Sequence, residues 1–211
     1  MDALVADFRR PQRGRPPDPR KREAILEAAR RQFLARGYDA SLEAVAAEAQ
    51  VSRQTIYNLY GGKDELFVAV LANRAEQLTA PLASASDAVG PRAVLTELGR
   101  RFGAAILSAE SVQFQRAVIA CAQRFPRLAV SFYDAGPGKT LGRLADYVAA
   151  ETARGRLAAA DPSLAAEHFL GMLKGNLHTR LIFCEDLRME PEAMEKRVLA
   201  CVEAFLKAHG T

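Results

Sequence analysis

The chain has 211 residues, 49 % of them hydrophobic and 26 % charged, with no Trp and a formal net charge of +4. That is enough for one large or two small domains with a buried core, while no apolar run reaches the roughly 18–20 residues of a membrane-spanning helix and residues 1–10 lack the apolar segment of a secretory signal. The positive excess lies at one end: residues 1–63 hold twelve Lys and Arg against eight Asp and Glu, whereas residues 64–211 hold seventeen of each, which favours a polyanionic partner for the first third.

Residues 1–18 set Arg9, Arg10, Arg13 and Arg15 among Pro11, Pro16 and Pro17. Proline and charge together oppose helix, so this segment is expected to be a flexible basic arm. Within it, Arg13 and Arg15 flank Gly14 ahead of Pro16, a pattern similar to the short basic hooks that lie in AT-rich minor grooves. A helix is expected over residues 19–35, with Ile25, Ala29 and Phe33 on one side and Gly37 as its stop.

Residues 41–60 read as two short helices joined by a tight turn. Ser41 caps the first, with Glu43 in its positive first turn; Leu42, Val45, Ala46 and Ala49 face inward and Val51 plugs the turn. Ser52 caps the second helix, whose Ile56 faces inward. The outer row is Arg53, Gln54, Thr55, Tyr57 and Asn58, without a carboxylate. At 100° per residue, Gln54 and Asn58 point almost straight out when Ile56 points in. Arg suits guanine O6/N7, and Gln and Asn suit adenine N6/N7, so this helix is shaped for a DNA major groove. Thr55 can touch a thymine methyl or a phosphate. Of Tyr57 and Tyr60, one hydroxyl is expected to reach a phosphate while the other ring packs under the head. Gly61-Gly62 then breaks the chain, and Lys63 opens a fourth helix to residue 78, where a cation beside free backbone N–H groups makes a phosphate clamp.

Residues 79–90, with Pro81 and an Ala-Ser alternation, read as a connector. Beyond it, helical patterns occupy about 91–108, 111–124, 126–134, 138–154, 162–185 and 190–208, Pro162 and Pro191 being placed as first-turn prolines. The expected architecture is all-α, with nine or ten helices: an arm (1–18), a DNA-binding head (19–80) and a larger helical domain (81–211). The three cysteines, Cys121, Cys184 and Cys201, are widely spaced without a CxxC pair and are expected to be buried free thiols in a reducing cytoplasm.

Residues 19–80 resemble the TetR-family DNA-binding domain through Ile25-Leu26, Ala28-Ala29, Phe33, Gly37-Tyr38, Ser41, Val45-Ala46, Ala49, Val51-Ser52, Thr55-Ile56-Tyr57, Tyr60, Lys63 and Leu66-Phe67. The resemblance implies a dimeric, ligand-responsive transcriptional regulator, usually a repressor, on palindromic operator DNA. By position, Arg53, Gln54, Thr55 and Asn58 would face bases and Tyr57 and Lys63 would hold phosphates; Ser41, Ser52 and Tyr60 complete the contacting set. Two positions depart from the family. Gln50 stands where Gly is usual, at a turn that needs positive φ, and Gly62 stands near where a capping Ser or Asn is common. The segments Arg124–Leu128, Phe132–Pro137, Gly155–Leu157 and Ala165–Leu173 resemble the AefR-like class of TetR C-terminal domains.

In the larger domain, Leu170, Leu173, Leu177, Leu181 and Cys184 form one helical stripe and Val198, Cys201, Val202 and Phe205 another. Both are expected in a dimer bundle, with Gly171 and Gly175 admitting a partner helix. Phe102, Ile106, Leu107, Phe114, Val118, Phe125, Phe132 and Tyr133 form a core or line an apolar effector cavity, with polar anchors among Gln113, Arg116, Gln123 and Tyr133. His168 and His178, ten residues apart on one helix and so about 15 Å along its axis, cannot share a metal ion. No cofactor is implied. The competing readings are a helical-bundle enzyme or carrier, against which there is no nucleophile elbow, P-loop or HExxH, and a helical adaptor that dimerises without DNA.

Overall fold

Caps and first-turn prolines fix most of the element boundaries. The computed structural model describes residues 19–83, 89–123, 125–184 and 190–211, apart from the side chains of Cys121 and Leu128; the expected arm with Arg13 and Arg15 lies outside them. Its helices are α1 (Pro19–Arg36), α2 (Leu42–Glu48), α3 (Arg53–Tyr60), α4 (Lys63–Ala83), α5 (Pro91–Ile106), α6 (Ala109–Cys121), α7 (Pro126–Tyr133), α8 (Lys139–Ala153), α9 (Pro162–Phe183) and α10 (Pro191–His209). The Ser41 and Ser52 hydroxyls accept from the Ala44 and Thr55 amides at 3.1 and 3.2 Å, each satisfying one orphan donor of a helix start. Asp161 does the same for Leu164 at 3.0 Å, and Pro91, Pro126, Pro162 and Pro191 stand in first turns, where no N–H is needed.

Two large apolar clusters, with a small third one at Val112, Leu177 and Leu181, hold the described residues together. One joins α1 to α4 around Ile25, Phe33, Val45, Ile56, Leu66 and Phe67, and also takes in Phe114 and Val118 of α6. The other packs α5, α8, α9 and α10 around Leu95, Leu98, Leu144, Phe169 and Phe205. The α4 helix belongs to both, through Phe67 to Leu71 at one end and Leu78 at the other. Rings bridge the head to the larger domain in sequence. Phe33 meets Phe67 edge-on at 5.2 Å between centroids, Phe67 meets Phe114 at 5.5 Å, and Phe114 meets Phe132 at 5.8 Å. Rings of α4 and α6 are thus in direct contact.

Three expectations are corrected. The fourth helix does not stop at residue 78 but runs to Ala83, with Pro81 in its last turn. Pro81 offers no amide to the Gln77 carbonyl, and Arg101 Nη1 donates to that carbonyl instead, at 3.3 Å. Second, α9 is broken at Gly175, whose φ of +47° and ψ of −157° no helix contains. A Cβ on Gly175 would lie 2.7 Å from Arg197 Nη1, which donates to the Met172 carbonyl at 2.9 Å. Gly175 thus admits Arg197 of the same chain, not a partner helix. Third, the stripes expected at the dimer interface are spent inside the protomer. Leu170, Leu173, Val198, Val202 and Phe205 are buried in the larger cluster, and Leu177 and Leu181 pack on Val112. Periodicity identifies the face a helix buries, not what it is buried against. Here α9 and α10 first close on α5, α6 and α8.

Candidate nucleic-acid interface

The head positions α3 by burying one residue and capping its start. Ile56 is fully buried in the head's apolar cluster, which turns Arg53, Gln54, Tyr57 and Asn58 to solvent and leaves Thr55 half-covered. Gln54 Nε2 donates to Asn58 Oδ1 at 2.9 Å, so the two most outward side chains hold each other along the helix face. Arg53 Nη2 donates to the Tyr57 hydroxyl at 3.1 Å and its guanidinium lies 5.4 Å from that ring's centroid. The Ser52 and Thr55 hydroxyls are 2.9 Å apart.

One contact was not foreseen. Glu43 of α2 pairs with Arg53 Nη1 at 2.5 Å, with both side chains more than half exposed. The carboxylate-free row of α3 thus has an acid from the neighbouring helix at its N-terminal end. An exposed pair of this kind contributes at most about 1 kcal/mol, so a phosphate or guanine can displace it. The only sequence signal was Glu43 in the first turn of α2, where it also suits the helix dipole.

The tyrosines divide. The Tyr60 hydroxyl donates to the Arg22 carbonyl at 3.1 Å, and the Arg22 guanidinium lies 5.5 Å from its ring, so Tyr60 ties α3 to α1. Tyr57 remains 38 % exposed beside the bases' expected path. Lys63 opens α4 with its Nζ 4.4 Å from the Tyr38 ring centroid, and the Tyr38 hydroxyl donates to Asp64. Burial, and then that bond to Asp64, push the Tyr38 hydroxyl up, so it stays a protonated donor. Lys63 is therefore held at the start of α4 by a neutral ring, its charge not cancelled by it.

Gln50, at the α2–α3 turn, has a φ of +53°, the left-handed conformation anticipated from its place in the sequence. A side chain there costs about 1–2 kcal/mol, part of which glycine returns as unfolded-state entropy. Gln50→Gly should thus stabilise the head by about 0.5–1 kcal/mol, read as a higher denaturant midpoint at unchanged slope.

A cavity of about 120 Å³ lies where head and larger domain meet. Phe33 and Leu34 of α1, Phe67, Val70, Leu71, Arg74 and Leu78 of α4, and Ser111, Phe114 and Gln115 of α6 contribute to its wall. Of the expected pocket residues, Phe102, Ile106, Phe114 and Phe132 are in the wall; Arg116, Val118, Phe125 and Tyr133 are not. Arg116 instead donates to the Ile182 and Leu181 carbonyls, both at 2.7 Å, binding α6 to the end of α9. Val118 is buried in the head cluster, while Phe125 and Tyr133 are largely exposed. The polar wall residues are Arg30, Arg74, Ser111, Gln115, Thr140 and Lys174 rather than the expected anchors. Their signal was present: Arg74 and Lys174 interrupt the apolar stripes Leu71–Ala75 and Leu170–Leu177. Among the described residues no group of three His, Cys, Asp or Glu could hold a metal, and His178 Nε2 bonds Gln115 Oε1 at 2.7 Å.

A capped helix with an outward hydrogen-bonding row, set on a helical body, defines a helix-turn-helix DNA-binding transcriptional regulator. Residues 25–70 match the bacterial regulatory proteins of the tetR family, and residues 93–211 match the AefR-like transcriptional repressor C-terminal domain. The chain belongs to the TetR family. It is similar to a solved protein of Mesorhizobium loti MAFF303099 described as a TetR-family transcriptional regulator, with 32 % identity over 91 % of this chain and 98 % of that one, at a TM-score of 0.73. It is also similar to the flavonoid-responsive regulator FrrA, with 30 % identity over 92 % and 98 % of the two chains and a TM-score of 0.66. A TetR-family regulator of Pseudomonas syringae pv. tomato DC3000 shares the fold at 24 % identity, covering 91 % and 98 %, with a TM-score of 0.62. No curated protein matches the chain. These relatives are transcriptional regulators, not enzymes, and no described helix is long and apolar enough to cross a membrane.

Proposed function

We propose that the protein is a ligand-responsive repressor. A homodimer grips a palindromic operator in the cytoplasm, and a small hydrophobic effector releases it. The observation that carries this reading is the cavity's position: α1 and α4, which seat the reading helix, supply nine of its 21 wall residues. An effector that binds better when α4 is displaced favours a dimer whose heads are mis-spaced for the operator, which is the differential affinity that allostery requires. FrrA's description as flavonoid-responsive supports a small-molecule signal. Arg53, Gln54, Thr55 and Asn58 read bases, and Tyr57 and Lys63 hold phosphates. A gel-shift experiment with DNA flanking the protein's own gene tests the core of this. A shift that hydrophobic compounds abolish is expected; no shift at low salt with any promoter fragment would sink it.

With the apolar stripes of α9 and α10 buried, we assign the dimer contact to their outer faces. Shallow grooves there are lined in part by Gly171, Ala200, Ala204 and Ala208, small residues that permit close approach. Nothing lies within 4 Å of a Cβ built on Gly171, so Gly171→Leu leaves the protomer intact. It should raise the dimer dissociation constant at least tenfold in sedimentation at unchanged helicity. Unchanged sedimentation at low concentration would move the interface elsewhere.

A further inference from the structure

The cavity wall is charged in one sense only. Arg30, Arg74 and Lys174 line it, and no carboxylate does. Arg30 is paired with Glu27, to which its Nε and Nη2 donate at 2.9 and 2.7 Å and which Arg31 shares at 3.0 Å. Arg74 spends Nη2 on two neutral acceptors, the Ala105 carbonyl and the Ser111 hydroxyl, both at 2.5 Å. Lys174 has its Nζ 5.9 Å from the Phe102 ring centroid, and among the described residues no carboxylate pairs with it. Burial lowers the pKa of both groups; Arg30 adds repulsion at Arg74, which Glu110 partly opposes from outside the wall. Half-buried cations with no carboxylate in the wall beside them are costly, and an anion entering the cavity relieves that cost.

The rest of the wall selects shape. Phe33, Phe67, Phe102, Phe114 and Phe132 surround a space of about 120 Å³. A dry cavity of about 150 Å³ is known to accept benzene, so one ring is the scale of occupant. Resting on the effector reading above, we infer that the cavity takes a small aromatic carboxylate, its ring among the phenylalanines and its carboxylate turned to Lys174, with Arg74 adding attraction.

The test is calorimetry and thermal shift with benzoate and cinnamate against benzamide and cinnamamide, which keep the shape and remove the charge. The acids should bind the full-length protein at least tenfold more tightly than the amides. Lys174→Met should erase that preference while retaining amide binding, and Lys174→Arg should restore it. Equal affinity for acids and amides, no binding of either, or an acid preference that survives Lys174→Met would each overturn the inference. Gel shifts with the same compounds and a set of neutral hydrophobic ones separate it from the effector reading. If only neutral compounds release DNA, the anion is wrong and the effector reading stands; if none releases DNA, both fall.

Discussion

Tyr57→Ala and Lys63→Ala should each weaken binding to operator and unrelated DNA alike, by on the order of tenfold per dimer at moderate salt. Gln54→Ala should instead spare unrelated DNA and lose operator affinity by a hundredfold or more, with relaxed preference at one base step in each half-site. The asymmetry follows from what each side chain can touch. Lys63 is an ammonium at a helix start, where backbone N–H groups also point outward, so it meets phosphate whatever the sequence. Gln54 and Asn58, bonded to one another at 2.9 Å, present an amide pair to base edges. A good bidentate base contact discriminates by about 1–3 kcal/mol, and a symmetric dimer makes it twice. Lys63→Ala, which removes one cation per head, should flatten the dependence of log K on log salt by about one unit per head, whereas Tyr57→Ala and Gln54→Ala, which remove no charge, should leave that slope unchanged. Tyr57→Phe is the useful control: it keeps the ring under Arg53 and removes only the hydroxyl. Equal losses on operator and random DNA for all of these variants would refute the division of roles.

The head was legible because its constraints are local. Ser41 and Ser52 sit one residue before apolar periodic segments, Ile56 fixes the rotation of α3, and Gln50 occupies a turn where backbone geometry allows few solutions. The larger domain's helices were legible for the same reason, since Pro91, Pro126, Pro162 and Pro191 mark their starts. What was not legible is set by packing across long separations. The stripes of α9 and α10 look alike whether they face a partner or their own α5 and α8. Arg116 looks like a pocket anchor until the Leu181 and Ile182 carbonyls, some 65 residues away, claim its guanidinium. Gly175 illustrates the point most clearly: spaced four residues from Gly171 it reads as a helix-contact site, yet it breaks the helix to admit Arg197. Arg74 and Lys174 could have been noticed as cations on apolar stripes, which is the pattern to seek when an effector cavity is suspected.

Glu151→Ala should destabilise the protomer clearly although it lies outside the apolar clusters. Its side chain is fully buried, and three bonds hold it: Arg154 Nη1 donates at 2.8 Å, and Arg156 Nε and Nη2 at 2.6 and 2.8 Å. Arg154 and Arg156 reach solvent, at 50 % and 23 % exposure, so the loss is that of charge-assisted bonds rather than of a stranded buried charge: about 2–3 kcal/mol, which in a chain of this size lowers the melting temperature by about 5–10 °C. The cluster explains the Gly155-Arg156-Leu157 segment that resembles the AefR-like class. Gly155 turns the chain at a φ of +72°, Arg156 folds back onto Glu151, and Leu157, almost wholly buried, bridges to Gly210. The Ala158 amide then donates to the His209 carbonyl at 2.7 Å, fastening the end of α10. The pH dependence has a definite sign. Burial would raise the Glu151 carboxyl's pKa, but the bonds from Arg156 and Arg154 outweigh it and hold it below the ordinary glutamate value. A folded-state value depressed in this way contributes stability that is fully present above the ordinary value and is lost as pH falls through the folded one. Wild type should therefore lose melting temperature below about pH 4.5 more steeply than Glu151→Gln, which carries no such proton. Because the cluster fastens α10, Glu151→Gln should also weaken dimerisation, and together with its loss of melting temperature. Gly171→Leu should weaken dimerisation alone, and that contrast separates damage to the protomer from damage to the contact it presents.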